Sequence, residues 1–120
     1  MKSYKELIVW QKSFQLVILV YKLTSKFPRE EIYGLTSQVR RASVAIPSNI
    51  AEGFARKYRK EYIQFLSVAY GSGAELETQL LLSKELKYMS EEEYSKIILL
   101  LGEVMKMLNK MLLNLRNTNG

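Results

Sequence analysis

The sequence contains no cysteine and no histidine. Without cysteine there is no disulfide framework, no zinc-thiolate site and no thiol nucleophile. Without histidine there is no serine-histidine triad, no imidazole-bound metal and no histidine acid/base pair. Most familiar enzyme classes are closed by these two absences, and the expectation is a protein without catalytic residues, metal or cofactor. Long hydrophobic runs are missing as well. The longest one near the start, Leu16–Tyr21, lies between Lys12 and Lys22, far short of the roughly 20 residues that a membrane span needs. The segment after it, Thr24-Ser25-Lys26-Phe27-Pro28, does not read as a signal-peptide cleavage site. A cytoplasmic protein with no membrane partner is expected.

What is present fits one domain over residues 1–120, long enough to fold around its own core. At 48% hydrophobic and 25% charged the chain is too apolar for disorder, so its charges decorate a folded surface. The net charge of +6 is unevenly spread: the first sixty residues carry 12 basic and 4 acidic side chains, the last sixty 6 and 8. A basic surface of this kind favours polyanionic partners.

Helical spacing occurs four times. Leu7, Trp10, Phe14, Val17 and Tyr21 form a bundle-type seam for a first helix, with Ser3 and Glu6 as a capping box and Phe27-Pro28 as its stop. Leu35, Val39, Ala42, Ile46, Ile50 and Phe54 form a second, interrupted by Pro47. Proline removes a helix hydrogen bond and crowds the preceding turn, so a kink is expected there, while Asn49 and Glu52 are spaced to cap a restart. Tyr62, Phe65, Leu66, Ala69, Gly73, Leu76 and Leu80 form a third. Gly71 and Gly73 in its middle cost about 1 kcal/mol each and call for the close approach of a neighbouring helix. Ser90 with Glu91, Glu92 and Glu93 caps a fourth, carried by Tyr94, Ile97, Leu101, Val104, Leu108, Met111 and Leu115, with a polar fray from Asn114 to Gly120. The expected fold is all-α: an antiparallel up-down-up-down four-helix bundle whose second helix is kinked at Pro47.

Stretches such as Leu16–Tyr21, Ile97–Leu101 and Met111–Leu113 leave no polar face. A broad core explains part of this, and the excess predicts burial against further copies of the chain. Alternating helix directions gather Lys2, Lys5, Arg56, Lys57, Arg59, Lys60 and Arg116 at one end, opposed by Glu6 and Glu61. The other end mixes Lys26, Arg29, Lys84 and Lys87 with six glutamates. In a cyclic homo-oligomer the basic ends align into a ring suited to several phosphates of RNA or DNA. A charge run without such an assembly more often just solvates a loop.

The run Phe27-Pro28, Glu31, Tyr33-Gly34-Leu35-Thr36-Ser37-Gln38, Arg40-Arg41-Ala42, Ile46-Pro47-Ser48-Asn49-Ile50-Ala51-Glu52-Gly53 and Arg56 resembles the signature of the 23S rRNA intervening sequence proteins. Trp10 and the later Glu61, Phe65-Leu66, Ala69, Gly71-Ser72, Glu75-Leu76-Glu77 and Gln79-Leu80 are also similar to that family, over nearly the whole chain. The resemblance implies a bacterial four-helix bundle that assembles into pentamers. It further implies a relation to the accessory (Avd) protein of diversity-generating retroelements, a basic pentamer that partners a reverse transcriptase and nucleic acid. Most family members have no assigned activity.

The polar signature residues have a physical reading of their own. Gln38, Arg41, Asn49 and Glu52 on the second helix and Glu75 and Gln79 on the third form a candidate structural network, with Arg41 forked onto Glu52 or Glu75. Glu52, Glu75 and Glu77 lack the histidines that complete bundle di-iron sites. Tyr33, Tyr58, Tyr62 and Tyr70 offer stacking faces, though helical aromatics more often serve cores or subunit contacts. Three functions follow: an oligomer that binds RNA or DNA through its basic end, a scaffold that docks a protein partner without nucleic acid, and, weakest, an enzyme limited to Lys, Glu, Tyr or Ser.

Overall fold

The computed structural model describes residues 2–117. It contains four helices, α1 (Ile8–Thr24), α2 (Leu35–Phe54), α3 (Arg59–Glu85) and α4 (Glu91–Asn117), and two short 3-10 turns, Tyr4–Glu6 and Arg29–Glu31. No strand occurs among the described residues. Each helix packs on two others, α1 on α2 and α4, α3 on α2 and α4, so the four close into a bundle measuring 49 × 22 × 20 Å. Lys12 meets Glu103 at 3.0 Å and Lys26 meets Glu93 at 3.2 Å, so residues taken forward along α1 meet α4 in reverse order. Leu16, Val20, Val39, Ile46, Ile50, Leu66, Leu76, Leu80, Ile97, Val104 and Leu108 are fully buried between the helices.

Local signals place several helix ends. Ser90 Oγ accepts the Glu93 N–H at 3.0 Å while Glu93 Oε1 accepts the Ser90 N–H at 2.9 Å, a complete capping box for α4. The Ser3/Glu6 box also forms, but it closes the Tyr4–Glu6 turn; Leu7 is extended and α1 starts at Ile8. The fray expected from Asn114 is helical through Asn117, and residues 118–120 lie outside the described residues. α2 passes Pro47 without a break.

The seam expected on α1 is not the one that faces the core. Val9, Ser13, Leu16, Val20 and Thr24 are buried, whereas Phe14 and Tyr21 are exposed. α1 carries two apolar stripes, and the core takes the one containing hydroxyls because each hydroxyl is satisfied within the helix. Ser13 Oγ donates to Trp10 O at 2.9 Å and Thr24 Oγ1 to Val20 O at 2.7 Å, so burial leaves no orphaned polar group. Gly73 does receive a neighbour, since a Cβ there would collide with the Met105 sulfur of α4. Gly71 has nothing within 4 Å of its Cβ position; it lies on the outer side of α3, away from every other helix of the chain.

The end of α3 holds the one non-glycine residue with positive φ among those described, Lys87 at 63°. Tyr88 N donates to Ser83 O and Lys87 N to Lys84 O, both at 2.9 Å, a Schellman motif with Lys87 in the left-handed position that glycine favours. Lys87→Gly is expected to raise stability by about 1 kcal/mol, measured as a higher urea midpoint at unchanged slope.

Candidate nucleic-acid interface

The basic end is assembled from three pieces of chain. At the first, the Glu6 carboxylate accepts the N–H of Lys2 at 2.7 Å and of Ser3 at 3.2 Å, and the turn packs on α2. The Tyr4 ring sits 5.3 Å from Trp10. This leaves Lys2 and Lys5 exposed beside the later half of α2. The second piece is the α2–α3 connection, where the carbonyl of Tyr58 accepts the N–H groups of Glu61 and Tyr62 at 3.1 Å and starts α3. Arg56, Lys57, Tyr58, Arg59 and Lys60 are all exposed there. Arg56 pairs with Glu52 at 3.3 Å and lies 4.8 Å above the Phe65 ring. The third piece is the end of α4, where Arg116 donates to Ser67 Oγ at 3.0 Å and shares a depression of about 450 Å³ with Lys60, Ile63, Gln64, Ser67 and Val68.

The placement of Arg59 and Lys60 runs against helix electrostatics. They occupy the first turn of α3, where the dipole favours acids, whereas α4 begins with Glu91, Glu92 and Glu93 in the favoured arrangement. The exposed N–H groups of that turn add their partial positive charge to the cations. Glu61 shares that turn and leaves it one positive charge in excess, which attracts a phosphate.

The opposite end is neutralised internally. Lys84 lies 3.5 Å from Glu91 and 3.6 Å from Glu85, over the Tyr94 ring. Glu31 Oε1 accepts the Leu35 N–H at 3.0 Å and Oε2 accepts the Tyr88 hydroxyl at 2.9 Å; together these bonds hold the Glu31 carboxyl below its ordinary range. The Ser90 N–H, and then Lys26, do the same for Glu93. Both folded pKa values lie below the ordinary 4.5. Their stabilisation is therefore present above that pH and lost as pH falls through the folded values. Thermal midpoints are expected to fall as pH drops below 4.5, and Glu31→Gln with Glu93→Gln should flatten that limb.

The expected polar network is only partly assembled. Gln38, Arg41, Glu75 and Gln79 line one cleft of about 260 Å³ between α2 and α3, walled by Ala42 and Ala45. Asn49 instead donates to its own helix at Ala45 O, 2.7 Å away, and Glu52 binds Arg56. Arg41 and Glu52 are separated by three turns of α2, roughly 16 Å of rise, beyond an arginine's reach. Among the described residues Arg41 makes no hydrogen bond to Glu75 either, so the expected fork is absent. Gln79 is buried with its Oε1 unpartnered.

A surface that periodicity alone assigned to the core is the α1–α2 groove. Tyr4, Trp10, Phe14, Val17, Val44, Pro47, Ser48 and Ala51 line about 310 Å³ of open, mainly apolar space. The signal was the aromatic stripe on α1; only its facing was misread. No group of three or more carboxylate, thiol or imidazole side chains among the described residues is placed to hold a metal, and no described helix is long and apolar enough to cross a membrane.

Four closely packed helices with exposed cations at one end define a small helical-bundle protein. The 23S rRNA-intervening sequence protein family model matches residues 5–110, and the chain belongs to that family. A crystal structure of a protein of unknown function from the S23 ribosomal protein family of Bacteroides thetaiotaomicron has the same fold. It superposes with a TM-score of 0.82 at 24% identity, covering 88% of this chain and 98% of that one. No curated protein matches.

Proposed function

We propose that the protein is a non-catalytic homo-oligomer, a ring of parallel copies with the pentameric count that the family resemblance implies, and that it binds RNA or DNA through aligned basic ends. The observation that carries this reading is the set of cations at one end, with Arg59 and Lys60 held against the α3 dipole and Lys60 beside Arg116. Assembly is supported by large apolar side chains left in solvent, Phe14, Ile18, Leu99 and Leu113 among them. Repetition of the basic end around a ring multiplies a modest patch into a surface that neutralises many phosphates.

Light scattering with and without RNA tests the assembly, and anisotropy of a labelled single-stranded oligonucleotide tests binding. Affinity is expected to fall about three-hundredfold or more between 50 and 200 mM salt, the dependence of a single-strand contact with at least six phosphates. A single copy at micromolar concentration, or binding indifferent to salt, overturns the reading. The α1–α2 groove favours a second reading, a scaffold that docks a protein partner on Trp10, Phe14 and Val44. That reading predicts an affinity for nucleic acid no greater than that of any protein of equal charge.

A further inference from the structure

The outer side of α3 carries Val68, Glu75 and Leu82, one heptad apart, and the outer side of α4 carries Leu99, Lys106 and Leu113, also one heptad apart. All six are exposed, the apolar ones at 46% and 48% on α3 and 68% and 51% on α4. Such rows are the seams along which helices pair. One reads apolar, anion, apolar and the other apolar, cation, apolar. Neither Glu75 nor Lys106 has a hydrogen-bond or ion-pair partner among the described residues.

We infer that the α4 row of one copy seats on the α3 row of the next, with Lys106 of the second copy donating to Glu75. The inference rests on the ring reading above and names its interface.

The heights agree. Within one chain Met105 stands opposite Gly73, Arg116 reaches Ser67, and Lys84 lies over Tyr94. In a ring whose axis runs along the bundles, equivalent residues of all copies share one height. Lys106 of the neighbour therefore arrives within about one helical turn, 5.4 Å, of the height of Glu75, an offset that a lysine side chain spans. Leu113 arrives beside Val68, and Leu99 beside Leu82. Two apolar pairs then flank the ion pair, each about 10 Å from it, and shield it from water.

An independent observation lies in the cleft behind Glu75. Gln79, one turn further along α3, is 8% exposed and its Oε1 has no donor, and it lines the same cleft as Glu75 and Arg41. An ammonium carries three donors, so one lysine entering this cleft satisfies the Glu75 carboxylate and the Gln79 oxygen together. The cleft's volume of about 260 Å³ is below that of usual ligand pockets and suits a single long side chain. The open space over Gly71, in the row next to Val68 and Glu75, leaves room for a second helix to approach.

The test is a charge swap followed by light scattering over a concentration series. Glu75→Lys and Lys106→Glu alone each place like charges at every interface and are expected to raise the half-assembly concentration at least tenfold. The double variant Glu75→Lys/Lys106→Glu restores opposite charges and is expected to assemble within about threefold of wild type. Both positions are exposed, so the circular dichroism melts of the unassembled variants should match. If the wild type forms a ring and the singles assemble as well as it does, or the double variant is not rescued, this seat is wrong and the ring reading survives. If the wild type stays a single copy at micromolar concentration, the ring reading falls and the seat with it.

Discussion

Gly53→Leu is expected to lower stability by about 2–3 kcal/mol and the melting temperature by roughly 10 °C. Gly53 lies one residue before the end of α2, where the chain turns into α3. A Cβ at that position would stand 2.9 Å from Phe65 Cβ, 3.0 Å from Tyr62 Cδ1 and 3.3 Å from the Tyr62 carbonyl oxygen. The first and last of these atoms belong to the α3 backbone or sit directly on it, so rotamer changes cannot relieve them. α3 must move away from α2, which loosens the core to which Ile50 and Leu66, both fully buried, belong. Helix propensity works the other way, by somewhat under 1 kcal/mol, and does not compensate for overpacking. Gly53→Ala should show a smaller loss of the same sign, reduced in a Tyr62→Ala background because that variant removes the colliding ring carbon Cδ1. Equal urea midpoints for wild type and Gly53→Leu would mean that α2 and α3 do not approach as described.

The parts of this fold that could be read in advance are those decided locally. The Ser90/Glu93 and Ser3/Glu6 boxes are three-residue patterns, and both form. Ile46, Ile50, Leu66, Leu76, Leu101 and Leu108 repeat at helical spacing on α2, α3 and α4, and on these helices the residues of the expected seams are the buried ones. α1 defeated the same reasoning because it is apolar on two faces. Period cannot tell which stripe meets α2 and α4, and Ser13 and Thr24 disguised the true one. Nor could it foresee Tyr88 bonding Glu31, 57 positions apart, which depends on how two connections meet at one end. The basic end was legible because it needs only helix order and length, which bring Lys60 to Arg116. The polar network was overread: helical rise alone separates Arg41 from Glu52.

The second large effect concerns that basic end. Lys57→Glu/Lys60→Glu changes each copy by four charges, and is expected to weaken oligonucleotide binding by at least a hundredfold at 50 mM salt and to flatten its salt dependence. Loss of binding through unfolding is the usual objection to a charge-reversal variant, and here the electrostatics answer it. Lys60 lies in the first turn of α3, so a glutamate there exchanges an unfavourable interaction with the helix dipole for a favourable one, by about 0.3–1 kcal/mol. The variant should therefore melt no lower than the wild type while its affinity collapses. Arg56 is left in place because its pairing with Glu52 and its contact with Phe65 tie it to the fold. Lys60 borders Val68 at the near end of the α3 row, but Glu75 lies fifteen residues further along α3, roughly 22 Å of rise, so the oligomer mass is expected to stay constant. Undiminished affinity with that mass preserved would remove nucleic acid from the basic end and leave the α1–α2 groove as the surface through which the protein acts.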